Sequence, residues 1–182
     1  MPVALELDAI NPGPLTLALI GAGKAGRSLA ARAVHAGHRV VLEDVLPSRL
    51  REALEEITTQ GQPGTLHTVS TVEDAVRDAD LVIDFVPDEL ESKLEIVCMV
   101  DRMAPPKTVI CINTHALSVS DLAACTYRAD RCVGGAETAG QIGLLLGTKT
   151  SEATAALAEQ FFHSCGWDVS RSEEHVAAGQ TL

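Results

Sequence analysis

Apolar positions along the chain fall into short unbroken runs, separated by longer stretches where they recur every three or four residues. The runs at 15–20, 38–45, 81–86 and 108–113 predict strands, and 66–70 predicts a weaker one. Two more short strands are expected at 131–134 and 142–146, and a last one at 167–170. The helical spacing covers 24–36, 47–57, 89–103 and 151–164, with shorter helices opening at Thr71 and over 118–124. Punctuation agrees with these limits. Gly37 stops the first helix, Pro47 sits in the first turn of the second, and Pro105-Pro106 closes the helix before them. Thr71, and Ser118 or Ser120, are N-caps, while 61–64 (Gly-Gln-Pro-Gly) is a loop. No internal repeat is present.

Strands alternating with helices of roughly 10–15 residues predict an α/β fold. The expected architecture is a single Rossmann-type, doubly wound, mainly parallel sheet with helices on both faces. The domain is expected over 15–170, after a leader at 1–14 and before a polar tail at 171–182 that frays. Such sheets bind ligands outside the carboxyl ends of their strands, where the strand order reverses. Functional residues should therefore follow Ile20, Val45, Val86 and Asn113.

Composition narrows the function. At 182 residues with 46% apolar positions, the chain can bury one core. Its 14 Lys and Arg against 25 Asp and Glu give a net charge of −11, a poor match to a phosphate backbone. Only five aromatics are present (three Phe, one Trp, one Tyr), too few for base-stacking platforms. Nucleic acid is excluded as a partner on these grounds. A membrane span is excluded too, because no apolar run approaches about 20 residues. Residues 1–8 lack the basic start of a secretory signal. The five cysteines (98, 111, 125, 132, 165) contain no C-x-x-C pair, and the histidines show no metal spacing. A reducing, cytoplasmic setting without a metal site is expected.

The clearest chemistry lies at Gly21-Ala22-Gly23-Lys24-Ala25-Gly26, a G-x-G-x-x-G directly after a strand and opening a helix. Gly21 permits the tight turn, Gly23 lets the backbone approach a pyrophosphate, and Gly26 brings helix and strand together. The helix N-terminus then offers N–H groups and a partial positive charge to phosphates. Asp44 lies 23 residues after Gly21, at the end of the second strand, where an acid accepts the adenosine ribose hydroxyls. A carboxylate there repels a 2′-phosphate and favours NAD over NADP, with Arg49 close by as the opposing feature.

Several segments in order resemble the NAD-binding domain of 3-hydroxyacyl-CoA dehydrogenases. They are 21–26, 37–44, 79–88 (Ala-Asp-Leu-Val-Ile-Asp-Phe-Val-Pro-Asp), the 104–106 turn, 112–114 (Ile-Asn-Thr) and 147–151, and the likeness spans about 15–170. The resemblance implies that Val86, Pro87 and Asp88 lie at the nicotinamide end, with Lys93 near the nicotinamide ribose. A solvated helix start is the alternative for Asp88 and Lys93. Asn113 closes the cofactor-facing set.

The catalytic positions depart from that family. Its Ser after Asn-Thr is His115 here, Ala136 stands where the general-base His belongs, and the Glu that orients that His falls at or near Gly143. The resemblance implies a following helical domain that completes the acyl-CoA site and the dimer, and the expectation from these 182 residues is a domain without it. His115 is therefore the candidate acid or base, Glu137 its candidate partner, and Asn113 the third candidate catalytic residue. A loop histidine in a degenerate site is the alternative. His38 is expected to be structural, and His35, His67, His163 and His175 to lie on the surface or at helix ends.

Three functions remain open at this stage. The first is an NAD-dependent oxidoreductase acting on a CH–OH group, with acyl-CoA or a small hydroxy or keto acid as substrate and a place in fatty acid metabolism. The second is a non-catalytic NAD(H)-binding module, and the third an enzyme that reuses the cradle for other chemistry. Apolar surface left near the sheet's end points to a homodimer or a subunit of a complex.

Overall fold

The structure, a computed structural model, describes residues 13–175. Most of the expected leader and the end of the expected tail lie outside the described residues. In chain order the elements are β1 (Thr16–Ile20), α1 (Lys24–His35), β2 (Arg39–Glu43), α2 (Pro47–Glu56) and β3 (Thr65–Val69). Next come α3 (Val72–Val76), β4 (Leu81–Asp84), α4 (Leu90–Met103), β5 (Val109–Ile112) and α5 (Val119–Ala124). A 3-10 turn at Ala129–Arg131 leads into β6 (Cys132–Thr138), β7 (Gln141–Leu146), α6 (Glu152–Ser164) and β8 (Asp168–Glu173).

The eight strands form one sheet in the order β3-β2-β1-β4-β5-β6-β7-β8. The first six in that order run parallel, β6 and β7 form an antiparallel hairpin, and β8 is parallel to β7. The order reverses between β1 and β4, whose carboxyl ends meet at Ile20 and Asp84. Strand positions alternate between two buried faces, as a sheet covered on both sides requires. Leu17, Leu19, Leu42, Ile83 and Leu144 pack with α1 and α6 through Leu29, Phe161 and Phe162. Ala18, Ile20, Val41, Val82 and Ile110 pack on the other face with Ile96, Val97 and Val100 of α4 and Leu122 of α5.

The predicted caps form as expected, with Thr71 accepting from the Asp74 amide and Ser118 from Asp121. Ser151, expected inside the helix, instead caps α6 by accepting from the Thr154 amide. Two boundaries are corrected. β6 continues past Gly134 to Thr138, because β7 supplies a hairpin partner for the extra residues. The expected fraying from residue 171 gives way to a strand reaching Glu173, paired to β7 from Gln141↔Asp168 to Leu146↔Glu173. Arg171 in that strand is tied to Glu152 (2.7 Å) and Glu159 (2.5 Å) of α6.

His38 is structural, as expected, and almost wholly buried. Its Nδ1 accepts from the Leu15 amide (3.1 Å), so Nε2 carries the proton and donates to Ser164 Oγ (2.8 Å). Burial lowers its pKa below the ordinary value for histidine.

Candidate functional site: the dinucleotide cradle and its cavity

The glycine loop occupies the switch point. Gly21 adopts φ +107°, and a Cβ there would press against Phe85. A Cβ on Gly26 would overlap the Gly21 carbonyl oxygen, so only glycine lets α1 start this close to β1. Gly23 faces open space and caps α1 with extended backbone; no side chain bonds the first amides of the helix, and its first turn holds no acid. The helix N-terminus is thus left for an anion, the fit that a pyrophosphate requires.

Asp44 is buried beside the loop. Its Oδ2 accepts from the Ala22 amide (2.9 Å) and its Oδ1 from Leu46 (2.9 Å), and Arg49 stands 3.4 Å away. Burial opposes its charge, but those amides and the guanidinium outweigh it and hold the pKa below the usual carboxylate range. An ionised acid stands at the end of β2 as the sequence predicts, and Arg49 is tied to it.

A cavity of about 540 Å³ opens alongside. Lys24, Ala25, Ser28 and Leu29 of α1 form one wall, Asn113, His115 and Glu137 supply polar groups, and Ala139 of the β6–β7 turn lies beside them. Ile83, Phe85, Ile142, Phe162 and Trp167 make an apolar floor that sequence reasoning missed, since these residues converge only through the sheet and α6. Three candidate catalytic residues and the start of the cradle therefore share one space. No hydrogen bond joins His115 to Glu137 among the described residues.

Asp88 serves the His115 loop. Its Oδ1 accepts from Thr114 Oγ1 (2.6 Å) and its Oδ2 from the His115 amide (2.9 Å). Burial works against its charge, but these bonds and nearby Lys93 lower its pKa. Val86 is half-buried and Pro87 exposed just before it.

Lys93 departs from both expectations for it. It is neither a ribose contact at the surface nor part of a solvated helix start: it is fully buried, donating to Asp84 Oδ1 (2.5 Å) and the Val86 carbonyl (3.2 Å). Asp84 Oδ2 accepts from the Asn113 amide (3.2 Å). Burial raises the Asp84 pKa, and the Lys93 ammonium only partly offsets it. The signal was present in the sequence, because Lys93 shares the buried stripe of Ile96, Val97 and Val100.

Ala136 and Gly143, where the resemblance places the missing base and its orienting acid, are direct cross-strand partners in the hairpin. The framework for such a pair persists without its functional side chains.

Fold and cradle together define a dinucleotide-binding domain of the Rossmann class. The chain matches the family described as 3-hydroxyacyl-CoA dehydrogenase, NAD binding domain, over residues 16–169, and it belongs to that family. NAD is accordingly its cofactor. A 3-hydroxybutyryl-CoA dehydrogenase of Bradyrhizobium diazoefficiens is 28% identical over 179 residues, covering 87% of this chain and 61% of that protein. A probable 3-hydroxybutyryl-CoA dehydrogenase of Bacillus subtilis is 31% identical over 130 residues, covering 63% and 45%. Among solved structures, a 3-hydroxyacyl-CoA dehydrogenase from Archaeoglobus fulgidus superposes with TM-score 0.75 at 27% identity, covering 92% of this chain and 58% of that one. The chain thus spans about half the length of the curated relatives it matches. Among the described residues no helix is long and apolar enough to cross a membrane, and no cluster of ligating side chains could hold a metal.

Proposed function

We propose that the chain is the coenzyme-binding part of an oxidoreductase related to 3-hydroxyacyl-CoA dehydrogenases, working on a CH–OH group with an altered catalytic site. The observation that carries this reading is the shared cavity: Asn113, His115 and Glu137 line the same space as the first turn of α1. The amides of that turn, with Gly21–Gly26, hold the pyrophosphate, and Asp44 takes the adenosine ribose hydroxyls. Bound NAD supplies the hydride acceptor. His115 takes the hydroxyl proton at its imidazole, the step that general-base catalysis accelerates by about 10²–10⁴-fold. Glu137, which lines the same cavity, balances the charge the imidazole acquires, and Asn113 orients the substrate oxygen. Acyl-CoA or a small hydroxy or keto acid is the substrate class, with a cytoplasmic setting, a place in fatty acid metabolism and a homodimer or larger complex as the working form.

The hairpin favours a second reading. With Ala136 and Gly143 facing each other, the chain binds NAD(H) without turning anything over by itself and serves as a module or subunit.

Calorimetric titration with NADH, NADPH and an acyl-CoA, followed by NADH consumption with acetoacetyl-CoA and small keto acids, separates the two. Turnover that His115→Ala abolishes at unchanged NADH affinity supports the first reading. Tight NADH binding with no turnover of any of these compounds supports the second.

A further inference from the structure

The loop carrying His115 is fastened at both ends by carboxylates from distant parts of the chain. At its near end, Asp88 holds Thr114 and His115, and Thr114 Oγ1 in turn accepts from the amides of Ala116 (3.3 Å) and Leu117 (3.0 Å). At its far end, Glu174 reaches in from beyond β8. Its Oε1 accepts from the Val119 amide and its Oε2 from Ser120, both at 2.8 Å. The Glu174 amide itself donates to the Leu146 carbonyl (2.8 Å), which fixes the carboxylate to the end of β7. Thr148 adds a third tie by donating to Ser120 Oγ (2.9 Å).

We propose that Glu174 is a positioning residue of the site. By gripping the two amides that end the loop, it sets where His115 stands over the cavity, while Asp88 sets the other end. A bidentate carboxylate on two successive amides fixes direction as well as distance, because losing either bond lets the pair rotate. Seven residues, 114–120, are therefore held between two anchors, and His115, the one titratable side chain among them, lines the cavity. The inference rests on the role given to His115 above, but it concerns the position of that residue, which can be read without any turnover.

The test uses the full chain, labelled with ¹⁵N and ¹³C, as wild type, Glu174→Ala, Glu174→Gln and Glu174→Asp. The His115 ring signals are assigned by their loss in His115→Ala. In Glu174→Ala, the Val119 and Ser120 amide signals and the His115 ring signals are all expected to move, while those of Gly23, Gly26 and α6 stay in place. Glu174→Gln and Glu174→Asp, each retaining an acceptor, should restore part of the His115 shift. If a carbonyl compound turns over, Glu174→Ala should cost about tenfold in kcat with NADH affinity nearly unchanged, as misplacing a reacting group does. A His115 ring that does not move when the Val119 and Ser120 amides do would overturn the proposal, leaving Glu174 a helix cap only. Amides that do not move would overturn it as well, by showing that the contact is absent. If instead His115→Ala leaves turnover intact, the proposed function fails, while the ring shift still decides the role of Glu174.

Discussion

Replacing Lys93 by Met keeps the apolar bulk of the side chain under β4 and deletes its ammonium. Asp84 is then left in the core with the amides of Val86 and Asn113 as its polar support. Removing one partner of a buried pair typically costs about 3–5 kcal/mol, because the remaining charge is no longer compensated. Asp84→Asn should cost a similar amount by stranding Lys93. The double variant Asp84→Asn/Lys93→Met carries neither charge, so its loss should fall short of the sum by about 2 kcal/mol or more. The pH dependence has a definite sign. Burial already places the Asp84 pKa above its ordinary value, and without Lys93 it rises further. A carboxyl whose pKa is higher in the folded state takes up a proton on folding. Lys93→Met therefore keeps more of its stability near pH 4 and loses about 1.4 kcal/mol per pH unit above that, until Asp84 ionises in the folded protein. Urea unfolding at pH 5.5 and pH 8.0, followed by circular dichroism and the fluorescence of the sole tryptophan, measures each variant against wild type. A loss below about 1 kcal/mol at pH 8.0, or the same loss at both pH values, would refute a buried ion pair.

Gly26→Ala should destabilise by about 1–3 kcal/mol and weaken NADH binding, although alanine is the better helix former, because its Cβ would overlap the Gly21 carbonyl; thermal melts with and without NADH measure both effects. His38, neutral and buried, should make stability fall as pH drops below about 6.5, since the unfolded chain then takes a proton that the folded one refuses. His38→Gln should flatten that limb of a urea-unfolding series run from pH 7.5 to pH 5.5. Burial pushes the thiols of Cys111, Cys132 and Cys165 up to about 12, 11 and 11, so at pH 7.5 a disulfide reagent should titrate only Cys98 and Cys125 until urea unfolds the chain.

Most of the parallel part of the sheet was legible because β1, β2, β4 and β5 are buried on both faces, whereas the edge strand β3 is partly exposed and gave only a weak pattern. β8 was not legible. Its residues, Asp-Val-Ser-Arg-Ser-Glu, are mostly exposed, and backbone pairing to β7 with the Arg171 ties to α6 holds it instead of a hydrophobic pattern. The cradle was readable down to Asp44, since glycine spacing and an acid at a strand end report backbone requirements directly. The surroundings of His115 were not readable. Asp88, Trp167 and Glu174 reach that region only through three-dimensional folding, and a carboxylate bound to amides leaves no periodic trace. Lys93 shows the opposite failure: helical spacing marked it as inward-facing, but a lysine is ordinarily assigned to solvent.

The β6–β7 turn has a mechanical consequence. Ala139 (φ +52°) and Gly140 (φ +80°) alone connect Thr138 to Gln141, in the positive-φ pattern that matches strand twist in two-residue hairpins. One jaw of the cleft is consequently stiff up to its tip. Any widening to admit a bulky guest falls to the loop bearing His115, which Asp88 and Glu174 hold at its two ends.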